Sequence, residues 1–326
     1  MCSAPGRSSV SKPVTGDGAA RAVLMVRPAH FGWNPETQAS NAYQRNDPSV
    51  ASTAAARARE EFDALAAALS DAGVAVHALD DRPEPVCPDA VFPNNWVSFH
   101  CDGTVVLYPM LAPSRRRERR LDLLLQLEQG GGYEVRRLVD LTYFETRAEF
   151  LEGTGSLVLD HDLKLAYACL SPRTHEAPLR EFCDELGYEP VVFGANDPAG
   201  RPVYHTNVVL SVGPSLAVVA AADLLASDRG RIVDRLARPG RVVVAIDRDR
   251  AAAFAANVLE LGSESGSTVL ALSASAAQAV SDADWRRIRA VIDRVVSVPI
   301  PTIEALGGGS VRCMLAEVFL PRRPTR

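Results

Sequence analysis

The sequence predicts an α/β protein built from one unit, strand–strand–helix–strand, repeated in a radial or closed arrangement. Three observations predict it. The unit recurs at roughly 50–60 residue spacing, although the residues themselves repeat only weakly. No Pro/Ser/Gly-rich linker divides the chain internally. Composition is that of a globular domain with a sizeable core: 326 residues, 47% hydrophobic, 23% charged, formal net charge −5. One domain over residues 21–321 follows, between a tail at 1–20 expected to be disordered and a short tail at 322–326. The alternative is a two-domain α/β enzyme.

The elements justify this in order. Ala22–Arg27 is a short apolar strand. Pro28–Pro48 is a long polar-aromatic loop with Phe31, Trp33, Asn34, Asn41, Tyr43 and Gln44, either a lid or disordered. Ser49–Gly73 is a helix, with Phe62, Leu65, Ala66 and Leu69 at helical spacing and Gly73 ending it. Val74–Leu79 is a strand. The second unit reads Ala90–Phe99, Thr104–Tyr108, a helix over Arg115–Gln129, and Glu134–Val139. The third reads Ser156–Leu159, Leu163–Cys169, a helix over Glu176–Leu186, and Pro190–Phe193. The fourth reads Val203–Val212, Leu216–Ala220, a helix near Asp228–Leu236, and Arg241–Ile246. An Ala-rich helix is expected near Asp249–Leu259, then strand Thr268–Leu272, helix Asp282–Asp293 and strand Val295–Pro299. The chain then passes through Gly307-Gly308-Gly309 into Val311–Phe319.

Several function classes are excluded. The negative charge gives no electrostatic footprint for nucleic acid. No apolar run reaches the ~18–20 residues of a membrane helix, and the first twenty residues lack a signal-peptide core. A cytoplasmic location is expected. Six Cys (Cys2, Cys87, Cys101, Cys169, Cys183, Cys313) are too few for a disulfide scaffold and form no CxxC pair, so no metal or cofactor is expected.

Some residues are placed for chemistry. Cys313 follows the Gly-rich run, where a tight backbone could leave a thiol partly exposed beside N–H groups; a buried strand-start Cys is the plainer reading. His205 stands at the mouth of an apolar strand, where a structural role is commoner. Glu152 is pinned in Phe-Leu-Glu-Gly-Thr-Gly, with a turn or cap as its plainer role. Asn94 and Asn95 sit side by side in the apolar run Asp89–Trp96 and must find partners. Arg115–Glu118 is a cationic helix start. Arg173, in Leu170–Thr174, could clamp a carboxylate bidentately. His161 and His175 read as exposed.

Taken in order, these segments resemble the guanidino-group-modifying (pentein) superfamily of arginine deiminases, dimethylarginine dimethylaminohydrolases and amidinotransferases. The sequence is most similar to its amidinotransferase-like, citrulline-utilisation branch. The resemblance spans Val23 to Pro321 and implies a five-bladed α/β propeller of ββαβ modules. It implies Cys313 as nucleophile, with His205 and Glu152 as the other catalytic residues. Asp89, Asn94, Asn95, Arg116, Arg173 and Asn207 are the implied substrate contacts, Arg173 with Arg116 for the carboxylate. Two positions depart from the pattern. Relatives that grip a guanidinium carry Asp where Asn95 and Asn207 stand here. Neutral amides leave a buried cation uncompensated and suit a neutral ureido group, so citrulline is the expected substrate, giving ornithine, ammonia and CO2. An amidinotransferase, or an arginine deiminase or dimethylargininase-type activity, is the alternative. A non-catalytic binding protein on the same scaffold is a third reading. The expected partner is a small amino acid, with neither nucleic acid nor membrane, and a homodimer is left open.

Overall fold

The computed structural model describes residues 18–323. The expected tail at 1–17 and residues 324–326 lie outside these. Ala20, expected in the disordered tail, is buried, and its carbonyl accepts from Gly262 N at 2.9 Å. At the other end, Arg323 N donates to Gly132 O at 2.8 Å.

The first module holds β1 (Ala22–Arg27), the one-turn helix α1 (Pro35–Gln38), α2 (Ala51–Asp71) and β2 (Ala75–Asp80). The second holds β3 (Val97–Phe99), β4 (Thr104–Leu107), α3 (Pro113–Arg116), α4 (Leu121–Gly131) and β5 (Arg137–Asp140). The third holds α5 (Gly153–Ser156), β6 (Leu157–Asp160), β7 (Leu165–Cys169), α6 (Glu176–Leu186) and β8 (Glu189–Phe193). The fourth holds α7 (Thr206–Val209), β9 (Leu210–Val212), β10 (Leu216–Val219), α8 (Ala226–Leu236) and β11 (Val242–Ala245). The fifth holds α9 (Arg248–Ala252), β12 (Leu259–Gly262), β13 (Thr268–Ser273), α10 (Ala274–Ala279), α11 (Asp282–Ile288) and β14 (Arg294–Val298). The last strand, β15 (Ala316–Glu317), returns to the first module.

The described residues form five three-stranded sheets with one topology. In the second to fifth modules the first strand pairs antiparallel with the second, and the second parallel with the third. The first module gets its antiparallel strand from the far end of the chain: β15 pairs with β1 through Val23↔Glu317 and Leu24↔Ala316. The helix between second and third strands makes the parallel crossover possible. Middle strands β4, β7 and β10 are buried throughout, which explains their unbroken apolar runs.

Neighbouring sheets share apolar cores. β1 packs with β3 and β4, and β4 with β6 and β7. A third core runs through the third, fourth and fifth modules. The fifth packs back on the first, where Leu261, Val269 and Val296 meet Val23, Met25 and the α2 face Phe62, Leu65 and Leu69. Among the described residues no helix is long and apolar enough to cross a membrane.

The structure differs from expectation where each inner strand begins. Ala90–Phe99 is not one strand: a 3-10 turn at Pro93–Asn95 precedes the short β3. One-turn helices α5 and α7 likewise precede β6 and β9, and a 3-10 turn at Val311–Met314 precedes β15. The expected helix Asp249–Leu259 ends at Ala252. Phe254 then turns at φ +60°, and Leu259 already belongs to β12. Helix propensity in this Ala-rich run loses to the pairing of β12 with β13.

Candidate active site

These starts of the inner strands converge. Asn95, Glu152, His205 with Asn207, Asn257 and Cys313 each lie a few residues before β3, β6, β9, β12 and β15. The period-2 strands run away from this point, and the preceding turns aim side chains into it.

Glu152 and His205 form the central pair: His205 Nε2 lies 2.8 Å from Glu152 Oε2, both fully buried. A carboxylate only accepts, so Nε2 carries the hydrogen and Nδ1 keeps its lone pair. Glu152 Oε1 accepts from Leu111 N at 3.0 Å, and Arg173 Nη1 stands 3.3 Å from Oε2. Burial would raise the Glu152 carboxyl, but Arg173, His205 and Arg115 outweigh it and hold it well below the usual range. Burial pushes His205 down to about 4 against the pull of Glu152, so the imidazole is neutral at pH 7. Gly155 makes the pairing possible: a Cβ there would lie 2.4 Å from Asn95 Nδ2 and 2.6 Å from His205 Nδ1.

Cys313 is 3% exposed and shares a small cavity with Thr37, Asn41, Asp89, Asn95, Arg115, Arg173, Tyr204 and His205. The free volume is about 10 Å³, room for one water at most. Among the described residues, the polar side-chain atoms within reach of its sulfur belong to two amides, Asn207 Nδ2 at 3.4 Å and Asn257 at 3.4 Å (Nδ2) and 3.7 Å (Oδ1). A thiol and a neutral imidazole facing one cavity can attack and protonate opposite sides of a planar carbon centre.

Asp89 lines the same cavity, accepts from Asn34 Nδ2 at 2.8 Å, and stands 3.8 Å from Arg115 Nε. Burial raises its carboxyl against Arg115 and Asn34. Arg115 is otherwise engaged: it holds Glu118 bidentately at 3.0 and 2.9 Å, and its Nη1 donates to Asn95 Oδ1 at 2.8 Å. Burial pushes Glu118 up to about 8 against this contact.

Of the expected substrate contacts, Asp89, Asn95 and Arg173 line the cavity. Asn95 is not free there, since Arg115 occupies its Oδ1 and its Nδ2 donates to Asn94 Oδ1 at 3.1 Å. Asn94 is buried behind the cavity wall. Asn207 touches the sulfur, and its buried Oδ1 has no hydrogen-bond partner among the described residues. Arg116 is a correction. It donates to Met110 O and Leu111 O, pairs with Glu145 at 3.3 Å and keeps 31% of its side chain exposed. Neighbours on one helical turn diverge by about 100°, and Arg115 takes the inward direction. His161 and His175, expected exposed, are half-buried; His161 stacks on Phe319 and bonds Tyr188, and His175 accepts from Phe150 N.

Asn34 and Arg115 stand in the sequence without a mark of a site role, and Asn257 carries only one: Asn257-Val258-Leu259 echoes Asn207-Val208-Val209-Leu210. Among the other cysteines, Cys87, Cys169 and Cys183 are buried, and burial raises the first to about 11 and the others to about 12. Cys101 is exposed. Among the described residues no group of three or more His, Cys, Asp or Glu could hold a metal ion.

The loop 28–48 folds over the cavity. α1 is capped by Asn34 and carries Thr37, whose carbonyl accepts from Arg173 Nη2 at 2.9 Å. Ser40 Oγ accepts from the same guanidinium at 2.7 and 2.9 Å. Asn41 Nδ2 donates to Gly307 O and Gly308 O at 3.3 Å. Gly308, at φ +62°, is required: a Cβ there would lie 2.6 Å from Gln44 N.

Fold and family together define an enzyme of the C–N hydrolase type that modifies guanidino groups. The family model for N,N dimethylarginine dimethylhydrolase, eukaryotic, matches residues 27–320, and the chain belongs to that family. No curated protein matches it. Among solved structures, the product-bound N-terminal domain of ArgZ, an arginine dihydrolase from the ornithine-ammonia cycle in Cyanobacteria, superposes with TM-score 0.70 at 17% identity, over 92% of this chain and 99% of that one. Unliganded AgrE matches with TM-score 0.70 at 20% identity over 93% of this chain, which spans only 40% of AgrE. A dimethylarginine dimethylaminohydrolase in adduct with S-methyl-L-thiocitrulline matches with TM-score 0.62 at 16% identity, over 91% of this chain and 99% of that one. At these identities the likeness is one of fold.

Proposed function

We propose that the protein is a cysteine-dependent hydrolase of an arginine-type amino acid, working from the centre of a five-bladed α/β propeller that forms one domain over residues 21–321. The convergence of Cys313 and the Glu152–His205 pair on one small cavity carries this reading. The structural relatives named for arginine and dimethylarginine support the substrate class. So does Asp89: a buried carboxylate, raised by burial and short of a full ion pair, is stabilised by a cation beside it.

In this reading the Cys313 thiolate attacks the guanidino carbon and forms a C–S bond. His205 receives the proton that the thiol releases and gives it to the departing amine. Water, deprotonated by His205 Nδ1, then attacks the C–S carbon; the bond breaks, the thiolate returns and a ureido product leaves. Glu152 holds the imidazole tautomer and stabilises the imidazolium. Arg173 takes the substrate carboxylate once Thr37 and Ser40 withdraw, because a cavity of about 10 Å³ admits no amino acid until the lid opens.

Citrulline is the second reading, favoured by the neutral Asn207 at the sulfur. The parallel argument from Asn95 is weakened, because its amide is already satisfied by protein groups. On citrulline the same steps expel ornithine and leave an S-carbamoyl enzyme, which water converts to carbamate, then CO2 and ammonia. The test is a panel of arginine, N-methylated arginines and citrulline, read as ammonia or methylamine release, with Cys313→Ala as control. Turnover of an arginine-type substrate, lost in Cys313→Ala with the fold intact, is the expected result. Turnover of citrulline alone selects the second reading, and turnover that survives in Cys313→Ala removes the nucleophile. Product formation only when a second amine is supplied identifies a transferase.

A further inference from the structure

We infer that Asn257 is a further catalytic residue: with Asn207 it forms a pair of amide donors that stabilise the Cys313 thiolate formed in the reaction. The inference deepens the proposed reaction and rests on it for its purpose, but it concerns the thiol alone and is testable without a substrate.

The observations are geometric. Asn257 is fully buried. Its Nδ2 donates to the Asn207 carbonyl at 2.8 Å, and this bond fixes which end of the amide carries hydrogen. The same nitrogen lies 3.4 Å from Sγ, matching Asn207 Nδ2 at 3.4 Å; in the thiol form Sγ also donates to Asn257 Oδ1 at 3.7 Å, a longer contact that deprotonation gives up while both N–H donors remain. Two N–H groups therefore point at one sulfur, and they arise at corresponding places in two modules, just before β9 and β12.

The backbone is bent to put Asn257 there. Phe254 adopts φ +60°, an outlier for a bulky side chain. The turn it makes is closed by Asn257 N donating to Phe254 O at 2.8 Å. Strain of this kind persists only where surrounding contacts enforce it, and it clusters at functional sites.

The charged and titratable side chains that share the cavity with Cys313 are Asp89, Arg115, Arg173, Tyr204 and His205, and none makes a hydrogen bond to Sγ. The 3-10 turn bearing Cys313 packs on β13 and on the turn Pro93–Asn95, neither of which carries a titratable group. The segment 253–258 and α7 carry none either. Cys313's own neighbour Arg312 is committed to Glu317 at 3.0 Å and Leu315 O at 3.1 Å. The amides are thus the groups in direct contact, and hydrogen bonds to a charged acceptor favour the charged form.

The test is the pH dependence of Cys313 carbamidomethylation by iodoacetamide, read by mass spectrometry of its peptide, in the full chain and in Asn257→Leu and Asn257→Ala. Leu removes the donor at similar volume, and Ala removes it without adding a charge that would itself disfavour the thiolate. The expected result is a profile displaced to higher pH in both, with alkylation near neutral pH slowed by about tenfold or more. If Asn257→Leu fails to fold, Asn257→Ala carries the test. An unchanged profile in a folded variant overturns the inference. A displaced profile in a protein that turns over no guanidino or ureido compound upholds the thiolate pair while rejecting the proposed reaction.

Discussion

Burial and charged neighbours together set the protonation of Glu152 and His205. Glu152 fixes the His205 tautomer, and burial keeps the imidazole neutral until chemistry charges it. Glu152→Gln keeps the shape but removes the charge that stabilises the imidazolium. A loss of about 10²–10⁴-fold in kcat is expected in steady-state assays. Gly155→Ala puts a methyl group on His205 Nδ1 and Asn95, so activity should fall at least ~10-fold with little change in substrate range. The same burial makes the fold acid-sensitive. His205 titrates near 4 when folded against 6.5 as its ordinary value, so the unfolded chain binds the extra proton first. Its contribution is therefore complete above 6.5 and is lost as pH falls from 6.5 through 4. Urea midpoints measured across that window should fall steadily, and His205→Gln should flatten part of the decline.

At the scale of elements, the segment 28–48 covers the cavity, and in the proposed function it must move for a substrate to enter. Its contacts are both polar and apolar, with Phe31 buried in the core shared by the first and fifth modules and Tyr43 against Tyr204 and Phe254, while Trp33 Nε1 and Gln44 Nε2 are buried without partners among the described residues. Each such group costs about 1–3 kcal/mol, which lowers the cost of opening. Asn41→Ala removes the tie to Gly307 and Gly308. Faster proteolytic nicking within 28–48 is expected, suppressed by saturating substrate and accompanied by a raised KM.

Elements also show what could be read in advance. Middle strands and long helices were legible because burial on both faces or one face writes a clear apolar pattern, as in Leu165–Cys169 and along Phe62, Leu65 and Leu69. Apart from β6, foreseen at Ser156–Leu159, the inner strands were not. β9 and β15 are three and two residues long, and the turns before them are shaped by tertiary contact. Cys313, His205, Glu152, Asp89 and Arg173 were recoverable from motif order. Arg115 was confused with Arg116 because adjacent arginines on one turn cannot be ranked without knowing which way the turn faces. Asn257 was hidden in a run of alanines that reads as helix.

For the whole molecule, closure is the main physical fact. The pairing of β15 with β1 and the packing of the fifth module on the first tie the chain ends together, and the same return places Cys313 opposite His205. Because every module shares a core with its neighbours, unfolding should be one cooperative transition. Removing residues 316–326 leaves β1 without its antiparallel partner, and loss of that transition, read by circular dichroism, is expected. The most direct measurement is mass spectrometry of the protein rapidly acid-quenched during turnover of an arginine-type substrate. A substrate-derived adduct on the Cys313 peptide, absent in Cys313→Ser, is the expected result. Turnover with no adduct there, or an adduct on Cys101 instead, would contradict it.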